Sequence, residues 1–192
     1  MIKIATLLGT SRPGNYTGKA LAIVQDQLQK MANVEPIEID PARLQLPFPG
    51  QKSETGDEKW LQQAVKNATA VILATPEYHG SFAATTKLML ENMGFPSALR
   101  GKPVALLGVA AGQIGAIKSL EQLRSVCSHV GALVLPGPVS IANVKSVFDE
   151  SGACRDAKVE QRLRGLAAQL VDYIHNHICP KYTLEQMVRE VA

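Results

Sequence analysis

The chain has 192 residues, of which 46% are hydrophobic and 19% charged, and it carries a net charge of +3. This length suits one domain spanning residues 1–192 that buries a full core without metal ions or disulfides. The small, scattered positive charge argues against nucleic acid as a partner. The three cysteines lie far apart, with no metal-binding or dithiol spacing, so we expect a cytoplasmic protein without a metal site. We expect no membrane contact, because no apolar run approaches the roughly 20 residues that span a bilayer.

Apolar runs and amphipathic segments alternate along the chain. Strands are predicted at residues 2–8, 34–39, 69–74, 103–109 and 132–135, with a short extension at 139–142. Helices are predicted at 17–31, 57–67, 83–93, about 115–129 and after a turn at 149–152. Three prolines make residues 40–56 a predicted loop, Pro76 is expected to end the third strand, and Pro180 to end the last long helix. A further short helix is predicted within 183–190.

The predicted strands are apolar on both faces, which is typical of a parallel sheet covered by helices on each side. Right-handed crossovers then give a doubly wound, five-stranded, three-layer α/β/α fold. In such folds a ligand binds at the carboxyl ends of the strands, near the point where the strand order reverses. The loops after strands one, three and four are therefore the places to look for a site.

The first of these loops, residues 9–18, leads from a strand into a helix, where free N–H groups and the helix dipole attract an anion. It does not match the Walker A pattern, because Asn15 and Tyr16 stand where Lys and Ser or Thr are required, and G-x-G-x-x-G is absent. A single terminal phosphate fits better. The alternative is a capped helix with no ligand. The candidate binding residues are Thr10, Ser11, Arg12, Asn15, Tyr16 and Thr17.

The second loop contributes Pro76, Glu77, Tyr78 and His79, and its aromatic ring could lie beside a flat ligand. The alternative is a plain turn in which Tyr78 covers the core. For His79 an acid/base role competes with a role in which its backbone binds the ligand and its side chain caps a turn, and we favour the second.

The third loop contributes Ala110, Ala111, Gly112 and Gln113. Its small residues leave space for a ring against the backbone. The alternative is glycine-rich packing where a strand turns into a helix.

These three loops resemble those of the NADPH-dependent FMN reductase family, over about residues 2–150. The family's first loop commonly reads G-S-x-R-x-G-S-x-N, and here it is GTSRPGNYT, so Asn15 and Thr17 replace a serine and an asparagine. The family's P-E-Y-N-G-S becomes PEYHGS, with His79 in place of asparagine. In the third loop Ala111 replaces a frequent serine, which removes one hydroxyl contact.

The resemblance implies a flavodoxin-like flavoprotein that binds FMN through the residues named above. It implies an oxidoreductase that uses NADPH to reduce a small acceptor, such as a quinone, an azo compound, a metal oxyanion or a flavin. Because the hydride chemistry belongs to the cofactor, no residue is expected to be strictly catalytic.

The resemblance also implies a homodimer or homotetramer. Phe48, Met93 and Phe95 are candidate interface residues, with core packing as the alternative. Two other functions stay open: a non-enzymatic electron carrier of the flavodoxin type, although such carriers are typically acidic, and a protein that keeps the fold but binds no flavin.

Overall fold

A computed structural model describes residues 1–191 and contains a mostly parallel sheet with helices on both faces. The strand order is β2-β1-β3-β5-β6, and β7 also pairs with β5, so the predicted doubly wound topology is confirmed. A short strand, β4, pairs antiparallel with the end of β3. The strands are β1 (Ile2–Leu8), β2 (Val34–Ile39), β3 (Ala70–Tyr78), β4 (Ser81–Phe82), β5 (Pro103–Val109), β6 (Leu133–Val134) and β7 (Val139–Ile141).

The fifth position of the sheet is divided between two short strands. β6 pairs with the start of β5 and β7 with its end, and residues 135–138, which include Pro136 and Pro138, form a bend between the two strands. After the bend, the chain returns to the sheet and pairs, as β7, with the carboxyl end of β5. The residues that follow β7 therefore emerge beside the third loop.

Helices cover both faces of the sheet and bury two separate apolar cores. α1 and α6 close one core, around Val24, Leu28, Leu163 and Leu170, and α2, α3 and α4 close the other. A 3-10 turn at Pro41–Arg43 lies in the predicted loop 40–56. The helices are α1 (Tyr16–Gln29), α2 (Asp57–Asn67), α3 (Ala84–Glu91), α4 (Ile117–His129), α5 (Val144–Val147), α6 (Ala157–Tyr173) and α7 (Cys179–Val191).

The prediction that Pro76 ends the third strand was wrong, because β3 continues to Tyr78. The Ala74 carbonyl accepts a hydrogen bond from the Gly9 N–H, on the β1 side of the strand. Along a strand, the backbone N–H and C=O groups of residues two apart face the same neighbouring strand. The nitrogen of Pro76 therefore faces the β1 side, as Ala74 does, but it lies beyond Leu8, the last residue of β1 that pairs with β3. No ladder hydrogen bond is lost there, which is the condition under which a strand tolerates proline.

The prediction that Pro180 ends the last long helix was also wrong. A π-helical turn, Ile174–Ile178, follows α6, and the chain then continues as α7, of which Pro180 is the second residue. The π-helical turn interrupts the regular i→i−4 hydrogen-bond ladder immediately before Pro180, which is where a helical stretch can accommodate a residue without an N–H. The helix predicted within 183–190 is confirmed as part of α7.

The apolar pattern of residues 57–67 predicts that Trp60 is buried, and this prediction was wrong, because Trp60 is 49% exposed. For Met93 the core-packing alternative is correct, since Met93 is fully buried, whereas Phe48 and Phe95 are exposed. Within residues 1–191, none of the helices is both long enough and apolar enough to cross a membrane.

Candidate functional site

The three loops singled out in the sequence meet at the carboxyl edge of the sheet and enclose one cleft of about 420 Å³. Arg12, Asn15, Tyr16 and Thr17 line it from the first loop; Pro76, Glu77 and Tyr78 from the second; Ala110 and Ala111 from the third. The structure therefore brings together nine of the predicted residues. The other predicted residues lie outside the lining: Thr10, Ser11, His79, Gly112 and Gln113.

The first loop is held by its own polar side chains. Asn15 is the N-cap of α1: its Oδ1 accepts a hydrogen bond from the Gly18 N–H at 2.6 Å, and its Nδ2 donates to the Arg12 carbonyl at 2.7 Å. The buried Thr10 hydroxyl accepts from the Arg12 N–H at 3.3 Å. The capping interpretation is thus correct for Asn15, and Thr10 shapes the loop from inside.

The start of α1 gives this part of the cleft a positive potential. The first turn of α1 contains no acidic residue, and Tyr16 and Thr17 at its start line the cleft together with Arg12. Free N–H groups, the helix dipole and a guanidinium group all favour an anion. The arrangement fits a phosphate group.

The second loop is a two-residue β-hairpin turn between β3 and β4. Tyr78 pairs with Ser81, and the two turn residues, His79 and Gly80, have φ angles of +51° and +75°. Positive φ at both positions is the type I′ geometry, for which Asn-Gly is the preferred sequence. His79 occupies this turn through its backbone and is exposed outside the cleft lining, which argues against the acid/base role and leaves its backbone contact to a ligand a prediction.

Helix α4 holds this hairpin in place. Glu77 Oε2 accepts a hydrogen bond from the Ser119 N–H at 3.1 Å. Gln122 Nε2 donates to the Gly80 carbonyl at 3.1 Å, and its Oε1 accepts from the Ser81 hydroxyl at 2.7 Å. Tyr78 lines the cleft and is 41% exposed, and α4 therefore holds the residues on both sides of it, Glu77 before and Gly80 and Ser81 after.

The third loop combines packing with cleft formation. A Cβ atom on Gly108 would lie 2.7 Å from the Ala116 Cβ, so only glycine lets β5 approach α4 this closely. The packing interpretation is therefore correct for Gly108, whereas Ala110 and Ala111 line the cleft. The Ala110 N–H donates to the Ile141 carbonyl at 2.9 Å, which ties this loop to β7.

A buried threonine pair connects the first and second loops. The Thr86 hydroxyl lies 3.0 Å from the Thr75 hydroxyl and donates to the Gly9 carbonyl at 3.0 Å. The Thr75 hydroxyl also accepts from the Ala83 N–H at 3.2 Å. These contacts fix the end of β1 against the end of β3 and the start of α3.

Sequence reasoning missed five residues of the lining. Pro13, Gly14 and Val109 lie next to residues that were predicted, but Val144 and Lys145 belong to a segment with no motif. The parallel pairing of Val109 with Ile141 brings this segment to the cleft. Val144 and Lys145 could have been found from the topology, because the short strand predicted at 139–142 ends at the same sheet edge as β5, and both residues follow it.

Comparison with known proteins shows the family to which the chain belongs. The profile described as "NADPH-dependent FMN reductase" matches residues 2–146. This chain belongs to the NADPH-dependent FMN reductase family. It is accordingly an α/β flavoprotein of an oxidoreductase family whose cofactors are FMN and NADPH, and the resemblance found in the three loops is confirmed.

Two relatives illustrate the family's range. The chain is 28% identical over 178 residues to an NAD(P)H-dependent FMN reductase of Pseudomonas aeruginosa, an alignment that covers 86% of this chain and 93% of the relative. It is 31% identical over 160 residues to an NADPH azoreductase of a Bacillus species, covering 82% and 85%.

Solved structures confirm the flavodoxin-like fold. The flavoenzyme NAD(P)H:(acceptor) oxidoreductase of Paracoccus denitrificans superimposes with a TM-score of 0.76 at 22% identity, over 92% of this chain and 99% of that one. An archaeal flavodoxin superimposes with a TM-score of 0.62 at 13% identity, over 92% and 100%. At these identities the similarity establishes the fold alone.

Proposed function

We propose that this chain binds FMN in the cleft and uses it to pass electrons from NAD(P)H to a small organic acceptor, with azo compounds and quinones as the first candidates. The observation that carries the proposal is the division of the cleft into two chemically different parts. Arg12 and the start of α1 supply a cation and N–H groups, whereas Tyr78 supplies an aromatic ring and Ala110 and Ala111 are small and apolar. FMN has the same division between its phosphate and its ring.

The residues present suit FMN in their chemistry. Backbone N–H groups at the start of α1 and the Arg12 guanidinium would hold the phosphate. The backbone of the second and third loops, with Tyr78, would hold the ring against the sheet edge. When bound, FMN supplies the hydride chemistry, and these residues supply binding, orientation and electrostatics.

In this proposal the residues of the chain position FMN and the substrates and take no chemical step themselves. Among the described residues that line the cleft there is no histidine or cysteine. Burial raises the pKa of the Cys127 thiol to about 12, which keeps this thiol protonated in the core. Tyr78 lines the cleft and is 41% exposed, so solvent reaches the cleft beside its ring, and the reductant and the acceptor would use this side in turn.

The choice of acceptor is supported by relatives. The Bacillus relative and a Staphylococcus aureus relative, 25% identical over 179 residues, are azoreductases by name. Azo compounds and quinones are planar and conjugated, so they can stack against a flat ring at the open side of the cleft. Metal oxyanions and free flavin are further acceptors to test.

The first test is the visible spectrum of the purified protein with FMN, recorded before and after anaerobic addition of NADPH or NADH. We expect the bound flavin band to bleach and to return when a quinone or an azo dye is added. A bound band that neither nucleotide bleaches would favour a flavodoxin-type carrier that needs a partner enzyme. If FMN does not bind at all, the proposal is wrong.

We also propose that the chain forms a homodimer or a homotetramer through the apolar groove between α3 and α4. Leu90, Phe95 and Val126 line this groove, and Phe95 is fully exposed. Phe95→Ser should lower the molar mass measured by light scattering after size exclusion, whereas Tyr182→Ser, at an exposed position of α7 outside this groove, serves as the control. An unchanged mass for Phe95→Ser would contradict the use of this groove.

A further inference from the structure

A short segment, residues 143–149, joins the third loop to the start of α1. At one end, the Asn143 N–H donates to the Gly112 carbonyl at 3.0 Å, and the Val144 N–H donates to the Ala110 carbonyl at 3.1 Å. These two bonds fix the segment against the part of the cleft formed by the third loop. We call it the bridging segment.

The other end of the bridging segment is fixed against α1. The Phe148 ring lies 6.4 Å, between centroids, from the ring of Tyr16. The Lys19 Nζ donates to the Asp149 carbonyl at 3.0 Å. The segment is thus anchored at both ends, to the third loop and to α1, and contributes Val144 and Lys145 to the cleft lining.

Lys145 lies in the middle of this anchored segment. Its neighbours Val144 and Val147 are buried, whereas the side chain of Lys145 is exposed and lines the cleft together with Arg12, the other cationic residue of the lining. The backbone position is therefore fixed while the ammonium group is free to meet a ligand. A long lysine side chain suits contact with a charged group rather than with a flat ring.

The charges around the cleft favour a doubly charged anion. Over the described part of the chain, neither the Arg12 nor the Lys145 side chain forms an ion pair. Glu77 is the one carboxylate among the described lining residues, and its Oε2 is occupied by the Ser119 N–H. The lining therefore holds two cationic side chains and a helix start against one carboxylate, so its balance of charge is positive. A phosphate monoester carries a charge between about −1.5 and −2 at neutral pH, which matches this arrangement.

We propose that Lys145 is a second cationic ligand of the FMN phosphate, opposite Arg12, and that it makes the site select the phosphorylated flavin over riboflavin. This inference rests on the proposed function. It adds to the site a residue that lies outside the three loop motifs. Lysine would act here as a point charge that approaches the phosphate from the bridging segment, while the first loop supplies directed hydrogen bonds.

The test compares two flavins and four proteins by quenching of flavin fluorescence. Lys145→Met should raise the Kd for FMN about tenfold, the usual size of one lost charge-assisted contact, and leave the Kd for riboflavin within about twofold. Lys145→Arg should keep most of the FMN affinity, because the charge is retained. Lys158→Met removes an exposed lysine on α6 outside the cleft lining and should change neither Kd.

Three results would overturn the inference. Equal weakening of FMN and riboflavin would place Lys145 at the ring, and an unchanged Kd for FMN would remove Lys145 from the site. If wild-type protein binds neither flavin, the proposed function fails and this inference fails with it; the wild-type titration therefore separates the two. Inorganic phosphate gives a second measurement: its inhibition constant, obtained by competition with FMN and corrected for the Kd for FMN of each protein, should be about tenfold higher in Lys145→Met than in the wild type.

Discussion

Glu77 caps helix α4 from outside the helix, because its Oε2 accepts a hydrogen bond from the Ser119 N–H at 3.1 Å. The residue at the N-cap position of α4 is Ala116, which has no side chain able to cap. A carboxylate at the start of a helix satisfies a free N–H group and interacts favourably with the dipole. One side chain of the second loop therefore stabilises the helix that holds that loop.

The first prediction concerns the stability that this cap provides. Glu77→Ala should lower the free energy of unfolding by about 1 kcal/mol, because α4 loses both the hydrogen bond and the charge at its start. Glu77→Gln should lower the free energy of unfolding by a smaller amount, since its amide oxygen can still accept the hydrogen bond from the Ser119 N–H. Urea unfolding followed by circular dichroism measures both. Glu54→Ala, at an exposed position in loop 40–56, is the control, and an equal effect there would contradict the capping role.

The second prediction concerns Arg12. Arg12→Ala should raise the Kd for FMN by at least about tenfold, because the phosphate loses a guanidinium partner. Arg43→Ala removes an exposed arginine outside the cleft and should leave the Kd unchanged. Fluorescence titration measures both variants. Unchanged affinity in Arg12→Ala would show that the phosphate binds elsewhere.

The third prediction concerns His79, whose φ angle is +51°. Asparagine adopts the left-handed region more readily than most residues, so His79→Asn should raise the melting temperature by a few degrees or leave it unchanged. His79→Val should lower it, because a β-branched residue is strained there. Turnover with bound FMN should survive His79→Asn. A collapse of turnover with FMN still bound would instead support a chemical role for His79.

The fourth prediction is a pH dependence. Hydrogen bonds from Lys30 and Arg164 hold the pKa of Asp26 below its ordinary value, and Arg164 Nη1 lies 2.6 Å from Asp26 Oδ2, which links α6 to α1. A lowered folded-state pKa adds stability that is present above the unfolded-state pKa of about 4 and is lost as the pH falls through the folded-state value.

Asp26→Asn should therefore lower the melting temperature at pH 7 by a small amount and reduce the loss of stability between about pH 5 and pH 2. Asp172→Asn, on an exposed part of α6, is the control. Melting curves recorded across this range measure both variants. An acid-induced loss in Asp26→Asn as steep as in the wild type would contradict the contribution of the ion pair.

The sheet could be predicted from sequence because strands buried on both faces appear as continuous apolar runs. At two prolines the predicted end of an element was wrong. Pro76 continues β3 because its nitrogen faces beyond the end of β1, and Pro180 follows directly on a π-helical turn. Both outcomes depend on the surrounding backbone, which the local sequence does not reveal.

The candidate site was predictable where local motifs carry the chemistry, as in the first loop. Lys145 was missed because nothing in its local sequence indicates a ligand, and only the pairing of β7 with β5 brings it to the cleft. Ser11 and Gln113 were predicted from loop membership, yet they lie outside the lining. Loop membership narrows the choice of residues, but the direction of each side chain depends on tertiary contacts.

The buried hydroxyls of Thr75 and Thr86 determine the spacing between the first and second loops, because together they bind the Gly9 carbonyl and the Ala83 N–H. The cleft therefore has its width before any ligand arrives. Binding to such a preorganised site costs little conformational entropy, so more of the interaction free energy appears as affinity. Thr86→Val keeps the shape of the side chain but removes the hydroxyl. The first and second loops would then be ordered only when the ligand binds, and association of the ligand would become slower.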